Sequence, residues 1–265
     1  MKLYSKMKLI VLIIILGISS VNATGEANSV NAILDLGKQM SNMRNMLETY
    51  ALIATKVNYK SPDKRLQQGI AEYESTIDTM DKNFKYPEIV ESVRISREAW
   101  KPVKTALLTA LKDNSADRLK GEGLFIHGNI RTVIKELANM KKHLLTKEKI
   151  KDGKELNAAI EIAASSQRLS AHYMMKMWGL DDPTIQQHWD NGVKIYKDSI
   201  KTLKESPYYK DPEFKKLLDD TETQLNYFLT VIMFNDKFVP VLVHDKAQKA
   251  YNDANKMSEI ILSKI

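Results

Sequence analysis

The pattern Gly-[Ile/Val]-x-x-Tyr-x-x-[Ser/Thr]-Ile-x-Thr-[Met/Leu] occurs twice in this chain, beginning at Gly69 and at Gly192. Two amphipathic segments rarely share that many positions by chance, so the pattern points to an internal repeat, and a repeat forces the fold to be built from two like parts. A longer stretch heads each copy, Asn31 to Leu52 and Asn157 to Leu180, in which one register pairs Gln39 with Gln167, Met46 with Met174, Tyr50 with Trp178 and Leu52 with Leu180 without a gap.

Strand signals are nearly absent, since glycines and prolines are few and apolar residues recur every three or four positions rather than every two. In the first segment, about Ala27 to Tyr59, the stripe reads Ile33, Leu36, Met40, Met43, Leu47, Tyr50 and Ala54, which lie on one helical face. Ser61-Pro62-Asp63 ends that helix and starts the next, where Ile70, Tyr73, Ile77 and Met80 keep the spacing. Its counterpart follows Asp182-Pro183 with Val193, Tyr196, Ile200 and Leu203.

Third helices open at Pro87 and Pro212, the first with Pro102 inside it, where a kink is expected. Fourth helices follow Asn114-Ser115 and Pro240. Short connections between long amphipathic helices make antiparallel neighbours. The expected fold is all-α, two tandem antiparallel four-helix bundles spanning residues 24–148 and 149–265, with the polar stretch Lys147 to Gly153 able to carry a helix from one into the other.

Residues 1–23 have the form of a cleaved secretory signal peptide: Lys2, Lys6 and Lys8 precede the apolar run Leu9 to Ile18, and Val21-Asn22-Ala23 resembles a cleavage site. The expected location is therefore periplasmic. Loss of those three lysines lowers the formal charge from +7 to about +4, with both signs interspersed, which is no nucleic-acid footprint. Cysteine is absent, which removes disulfides, thiolate metal sites and Cys nucleophiles.

Among candidate functional residues, Gln167 and Arg168 come first, because they interrupt the apolar seam Ile160, Ala164, Ala171, Met175 and Trp178. A guanidinium beside such a seam needs an anionic or hydrogen-bonding partner: a carboxylate of its own bundle, solvent or a ligand. The matching stretch of the first copy supplies Lys38, Gln39, Asn42, Arg44 and Asn45 around Met40. Methionines cluster at Met40, Met43 and Met46 and again at Met174, Met175 and Met177 beside His172; such stripes serve as adaptable core filling, with cuprous ion binding as the alternative. No phosphate loop, nucleophile elbow, HExxH or repeated Glu-x-x-His motif is present, so no enzyme activity and no cofactor are expected.

The head stretch NAAIEIAASSQRLSAHYMMKMWGL resembles the motif that opens the periplasmic sensor domains of type IV pilus chemotaxis transducers and of nitrate sensors, the PilJ/NarX-like family. The resemblance covers both copies. It implies that head helices meet as those of two subunits do, in a homodimer or between the two copies, and that arginines of the motif grip a small anion such as nitrate. Position by position, Gln167 and Arg168 match the family's Gln-Arg and Gly37, Lys38 and Gln39 its Gly-Arg-Gln. Tyr173 and Asn45 stand where its second arginine would be, Met40 replaces the first in the earlier copy, and Arg44 lies one residue from that second position.

The resemblance thus implies a small anion or polar solute at Arg168, Gln167, Lys38, Gln39, Arg44 and Tyr173, relayed to a membrane histidine kinase or chemoreceptor. The alternative is a ligand-free helical interaction module that docks on a kinase, chemoreceptor or pilus component.

Overall fold

A computed structural model describes residues 2–113, 116–180, 182–231 and 239–264, with side chains from residue 28 onward and, in the fourth helix, from residue 119. Its described residues form α1 (Lys2–Ala54), α2 (Pro62–Asn83), α3 (Pro87–Ala110), α4 (Ala116–Lys147), α5 (Gly153–Trp178), α6 (Thr184–Lys204), α7 (Pro212–Val231) and α8 (Pro240–Leu262), with a 3-10 turn at Pro207–Lys210. They contain no strand, and the fold is all-α. Among them, no helix is long and apolar enough to cross a membrane.

The helix ends follow local chemistry. Pro62, Pro87, Pro212 and Pro240 each occupy a first helical position, where the missing N–H has no intrahelical partner to lose. Asp211 Oδ1 accepts from the Glu213 and Phe214 amides at 2.9 and 3.1 Å and so caps α7. Gly179, at φ 77°, closes α5 with paired bonds from its own amide to Lys176 and from Leu180 to Met175, a turn that only a residue without Cβ adopts freely.

The end of the first helix and the link between the copies differ from expectation. Helix α1 stops at Ala54 rather than Tyr59, and it is continuous back to Lys2, although the side chains of the leader-like segment lie outside the described residues. The link between the copies is not helical: α4 ends at Lys147, and Lys149 and Asp152 take left-handed backbone angles of 48° and 52° before α5 begins. Pro102 sits within α3, which runs unbroken around it. Asn114 and Ser115, expected to precede the fourth helix, lie outside the described residues.

Helix α1 packs on α2, α4 and α5; α5 packs on α1, α6 and α8; α3 lies on α4 and α7 on α8. The head helices are therefore the central pair. They run parallel, because contacts climb together along both: Gly37 with Ile160, Arg44 with Ala164, Asn45 with Gln167 and Tyr50 with Trp178. Leu36, Met43 and Tyr50 from α1 and Ala159, Leu169 and Met175 from α5 are fully buried along this seam and its flanks. Burying each large apolar side chain contributes about 1.5–3 kcal/mol, which makes the pair the main reservoir of packing energy.

The repeat is also written in burial. Aligned on Ile126 and Val243, α4 and α8 bury the same positions: His127 with His244, Val133 with Ala250, Glu136 with Asp253, Met140 with Met257 and Leu144 with Ile261. Tyr73 and Tyr196, the tyrosines of the repeated pattern, are both fully buried, and Tyr196 donates to the Thr221 carbonyl at 2.9 Å.

Candidate functional site

The glycines that open the repeated pattern hold the second helices against the head helices. A Cβ on Gly69 would lie 2.7 Å from Asn42 Oδ1 and 2.8 Å from Met46 Cγ; one on Gly192 would lie 2.8 Å from Arg168 Cδ. Asn42 uses the approach directly, donating to the Gly69 carbonyl and to Gln39 Oε1, both at 2.8 Å. In the second copy the same room is taken by the aliphatic stem of Arg168. Gly192 thereby fixes where the Arg168 guanidinium can reach.

It reaches a cleft of about 600 Å³ bounded by α1, α4, α5 and α6, lined among others by Arg44, His127, Arg131, His172 and His188. Nη1 of Arg168 is buried there without a hydrogen-bond partner. Glu161 is the carboxylate whose field favours its charge, but Glu161 is tied to Lys141 at 2.6 Å. Arg44 adds a second, wholly buried guanidinium, whose Nη1 donates to the Ala164 carbonyl at 2.7 Å. Burial above all, and then the facing Arg168, push the Arg44 pKa well down, while burial lowers that of Arg168. Two cations that disfavour each other in one apolar-walled cleft make a region of positive potential.

Three imidazoles complete the cleft. The ring centroids of His127, His172 and His188 lie 5.5, 5.7 and 5.7 Å apart in pairs. Nδ1 of His172 donates to the Arg168 carbonyl at 2.7 Å and Nδ1 of His127 to Asp182 Oδ2 at 3.3 Å. Those acceptors place the proton on Nδ1 in the neutral rings. Each Nε2, and that of His188 as well, is buried with no partner. Burial lowers all three pKa values, that of His172 well below its usual range and that of His188 to about 4, with Arg131 and His127 adding to the effect on His188. Among the described residues, no group of three or more His, Cys, Asp or Glu is placed to hold a metal ion. The neighbouring guanidinium groups repel a cation in any case.

The residues expected to form one site divide between two. Arg168 and Arg44 line the cleft just described, whereas Lys38, Gln39 and Gln167 line another, on the opposite side of the α1–α5 pair, between α1, α2, α5 and α8. Across the seam Asn45 donates to Gln167 Oε1 at 3.3 Å. Tyr173 is in neither lining; its hydroxyl accepts from the Val239 amide at 2.9 Å. Met40, Met43, Met46, Met174 and Met175 are buried in the core.

Sequence reasoning passed over Arg65, Arg131 and the convergence of the three histidines. One signal was available: Arg65 and His188 occupy the same place, four residues before Gly69 and Gly192. Asp182, which precedes α6, accepts the Thr184 amide at 2.8 Å and anchors His127 as well. The chain matches no protein-family model, no curated protein and no solved structure.

Proposed function

We propose that this is an exported, periplasmic ligand-binding protein of the PilJ/NarX-like sensor class, with residues 24–148 and 149–265 as tandem bundles whose head helices pair within one chain. It holds a small oxyanion at Arg168 and relays occupancy to a membrane histidine kinase or chemoreceptor. The observation that carries the reading is Nη1 of Arg168, buried and unpartnered in a 600 Å³ cleft. An unmade hydrogen bond from a buried charged group costs several kcal/mol, and a bound anion removes that cost with charge-assisted bonds. The side-by-side, parallel packing of α1 and α5 also supports it, since the family arrangement requires head helices to meet.

The histidines refine the ligand chemistry. With the proton on Nδ1, the bare Nε2 atoms of His127 and His172 face an anion with a lone pair, so the anion enters together with a proton, carried on the ligand or taken up by an imidazole. Nitrate, phosphate and acetate titrated at pH 5.5 against the thermal transition test this. One of them raises the melting temperature of the wild type and fails to raise that of Arg168→Ala, whose helical circular dichroism is unchanged. No shift with any of them removes the reading's main support.

A second reading, the docking module, is favoured by two exposed apolar doublets at matching places on α4 and α8, Leu124-Phe125 and Val241-Leu242, with Phe125 49% exposed. It expects Phe125→Ser combined with Leu242→Ser to abolish co-purification with a kinase or receptor while leaving the melting temperature unchanged.

A further inference from the structure

We propose that the cleft between α1, α2, α5 and α8 is a second binding site, which takes a small hydroxy- or amino-carboxylate on the side edge of Arg65. This site is independent of the anion cleft at Arg168 and lies on the far side of the head-helix pair.

Arg65 carries the argument. Its Nη1 lies 3.3 Å from Nδ1 of His244, but Nε and Nη2 are both buried with no partner. Those two nitrogens bear the parallel N–H bonds of one guanidinium edge, the fork that matches two oxygens of a carboxylate. Burial lowers the Arg65 pKa, opposed by the field of Glu48. Glu48 forms no ion pair with Arg65; its Oε1 is 2.8 Å from His244 Nδ1, and its Oε2 has no partner. A bound carboxylate completes Arg65 where the protein does not.

The rest of the cleft sets the body of the ligand. Its volume is about 530 Å³, and its lining includes the side-chain amides of Gln39, Asn42, Gln68, Gln167 and Gln248. The other cations there are engaged: Lys60 is held by Asp245 at 2.7 Å and Lys38 lies 3.8 Å from Asp35. Arg65 has no carboxylate within ion-pair distance among the described residues, so its fork takes the carboxylate, while the amides and Glu72, whose Oε1 accepts from Gln68 at 2.7 Å, suit a body rich in hydroxyl, amino or amide groups. An apolar acid would strip these amides of water and return no hydrogen bonds.

The repeat supplies an independent reason. Arg65 corresponds to His188 and His244 to His127, by their places before the repeated glycines and on the matched fourth helices. In each cleft the corresponding pair is in contact, and in each the second-helix member keeps buried nitrogen atoms without partners. The two clefts are one site in duplicate, with the chemistry of each copy changed separately.

Isothermal titration of the full chain with D-gluconate and L-glutamine tests the proposal, with D-glucitol and L-glutaminol as the same bodies carrying a hydroxymethyl group in place of the carboxylate. At least one carboxylate binds with one-to-one stoichiometry and its counterpart does not. Arg65→Lys, which keeps the charge and loses the fork, weakens binding at least tenfold, while Arg168→Ala leaves it unchanged. The wild type gives a check that needs no variant: the ¹⁵Nε resonance of Arg65 shifts on saturation. Absence of binding by both carboxylates, equal binding of the uncharged counterparts, or saturation without a shift at Arg65 overturns the proposal. Loss of binding in Arg168→Ala but not in Arg65→Lys also overturns it, by assigning the ligand to the other cleft.

Discussion

Nη1 of Arg44 donates to the Ala164 carbonyl at 2.7 Å, so a wholly buried guanidinium on α1 hangs on the backbone of α5 rather than on a carboxylate. A hydrogen bond from a charged group contributes about 1.5–3 kcal/mol, but the desolvation of the charge and its repulsion with Arg168 offset that gain. Arg44→Met, which fills the volume without the charge, therefore leaves stability within about 1 kcal/mol of wild type or raises it. Arg44→Ala opens a cavity at the seam and costs about 2–3 kcal/mol. Urea denaturation of both variants separates charge from volume; a larger loss in the methionine variant would show the guanidinium to be a net tie.

The seam depends on Gly37 as well. A Cβ there would sit 2.5 Å from Ile160 Cγ2, too close for carbon atoms. Gly37→Ala is expected to cost about 1–3 kcal/mol through overpacking. Pairing it with Ile160→Ala relieves the clash, so the double variant is less destabilised than the two single losses combined, which a double-mutant cycle measures.

Gly192→Ala tests whether the cleft at Arg168 depends on its stem being held. The added methyl would lie 2.8 Å from Arg168 Cδ and displace it. The expected result is about a tenfold loss of anion affinity with a fall of about 1 kcal/mol or less in stability, since the neighbour is a flexible side chain. Calorimetric titration and thermal denaturation read the two effects separately.

The three cleft histidines set a pH dependence. Their pKa values are lower in the folded chain than the ordinary 6.5, so the unfolded chain binds more protons between the two values. Their contribution to stability is full above pH 6.5 and is lost as the pH falls, for His188 through about 4. The melting temperature of the anion-free protein drops over that window, and His188→Gln flattens the drop. Anion binding runs the other way: affinity rises as the pH falls, because a protonated Nε2 becomes a donor. Thermal transitions from pH 7.5 to 4.5, with and without nitrate, check both signs.

Glu48 is wholly buried on α1 and bonded to His244 on α8. Glu48→Ala leaves the buried His244 Nδ1 without that acceptor and costs about 1–3 kcal/mol, as leaving a buried polar group unsatisfied does. Chemical denaturation checks it.

Much of this architecture was legible in the chain. The stripe from Ile33 to Ala54, the prolines at 62, 87, 212 and 240 and the pattern at Gly69 and Gly192 place the helices and their duplication, because periodicity and helix-starting residues are local properties. The site was less so. Gln167 and Arg168 are neighbours in sequence, but successive residues turn by about 100° around a helix, so the two side chains enter different clefts. His127, His172 and His188 come from three different helices, and nothing in their spacing shows that the rings meet. Arg65 looked like an ordinary polar helix residue because its burial is imposed by α8, from the far end of the chain.

The parallel run of α1 and α5 has a consequence for how the two clefts can change. In a symmetric homodimer every substitution at the interface occurs twice, so a charge tolerated on one side must be tolerated on both. Here the partners are segments of one chain, and each position varies alone. Met40 aligns with Arg168 and Arg44 with His172, and all four line the same cleft. A single polypeptide can thus keep the close fit of like helices and line two unlike clefts at once, which a pair of identical subunits cannot do without losing symmetry.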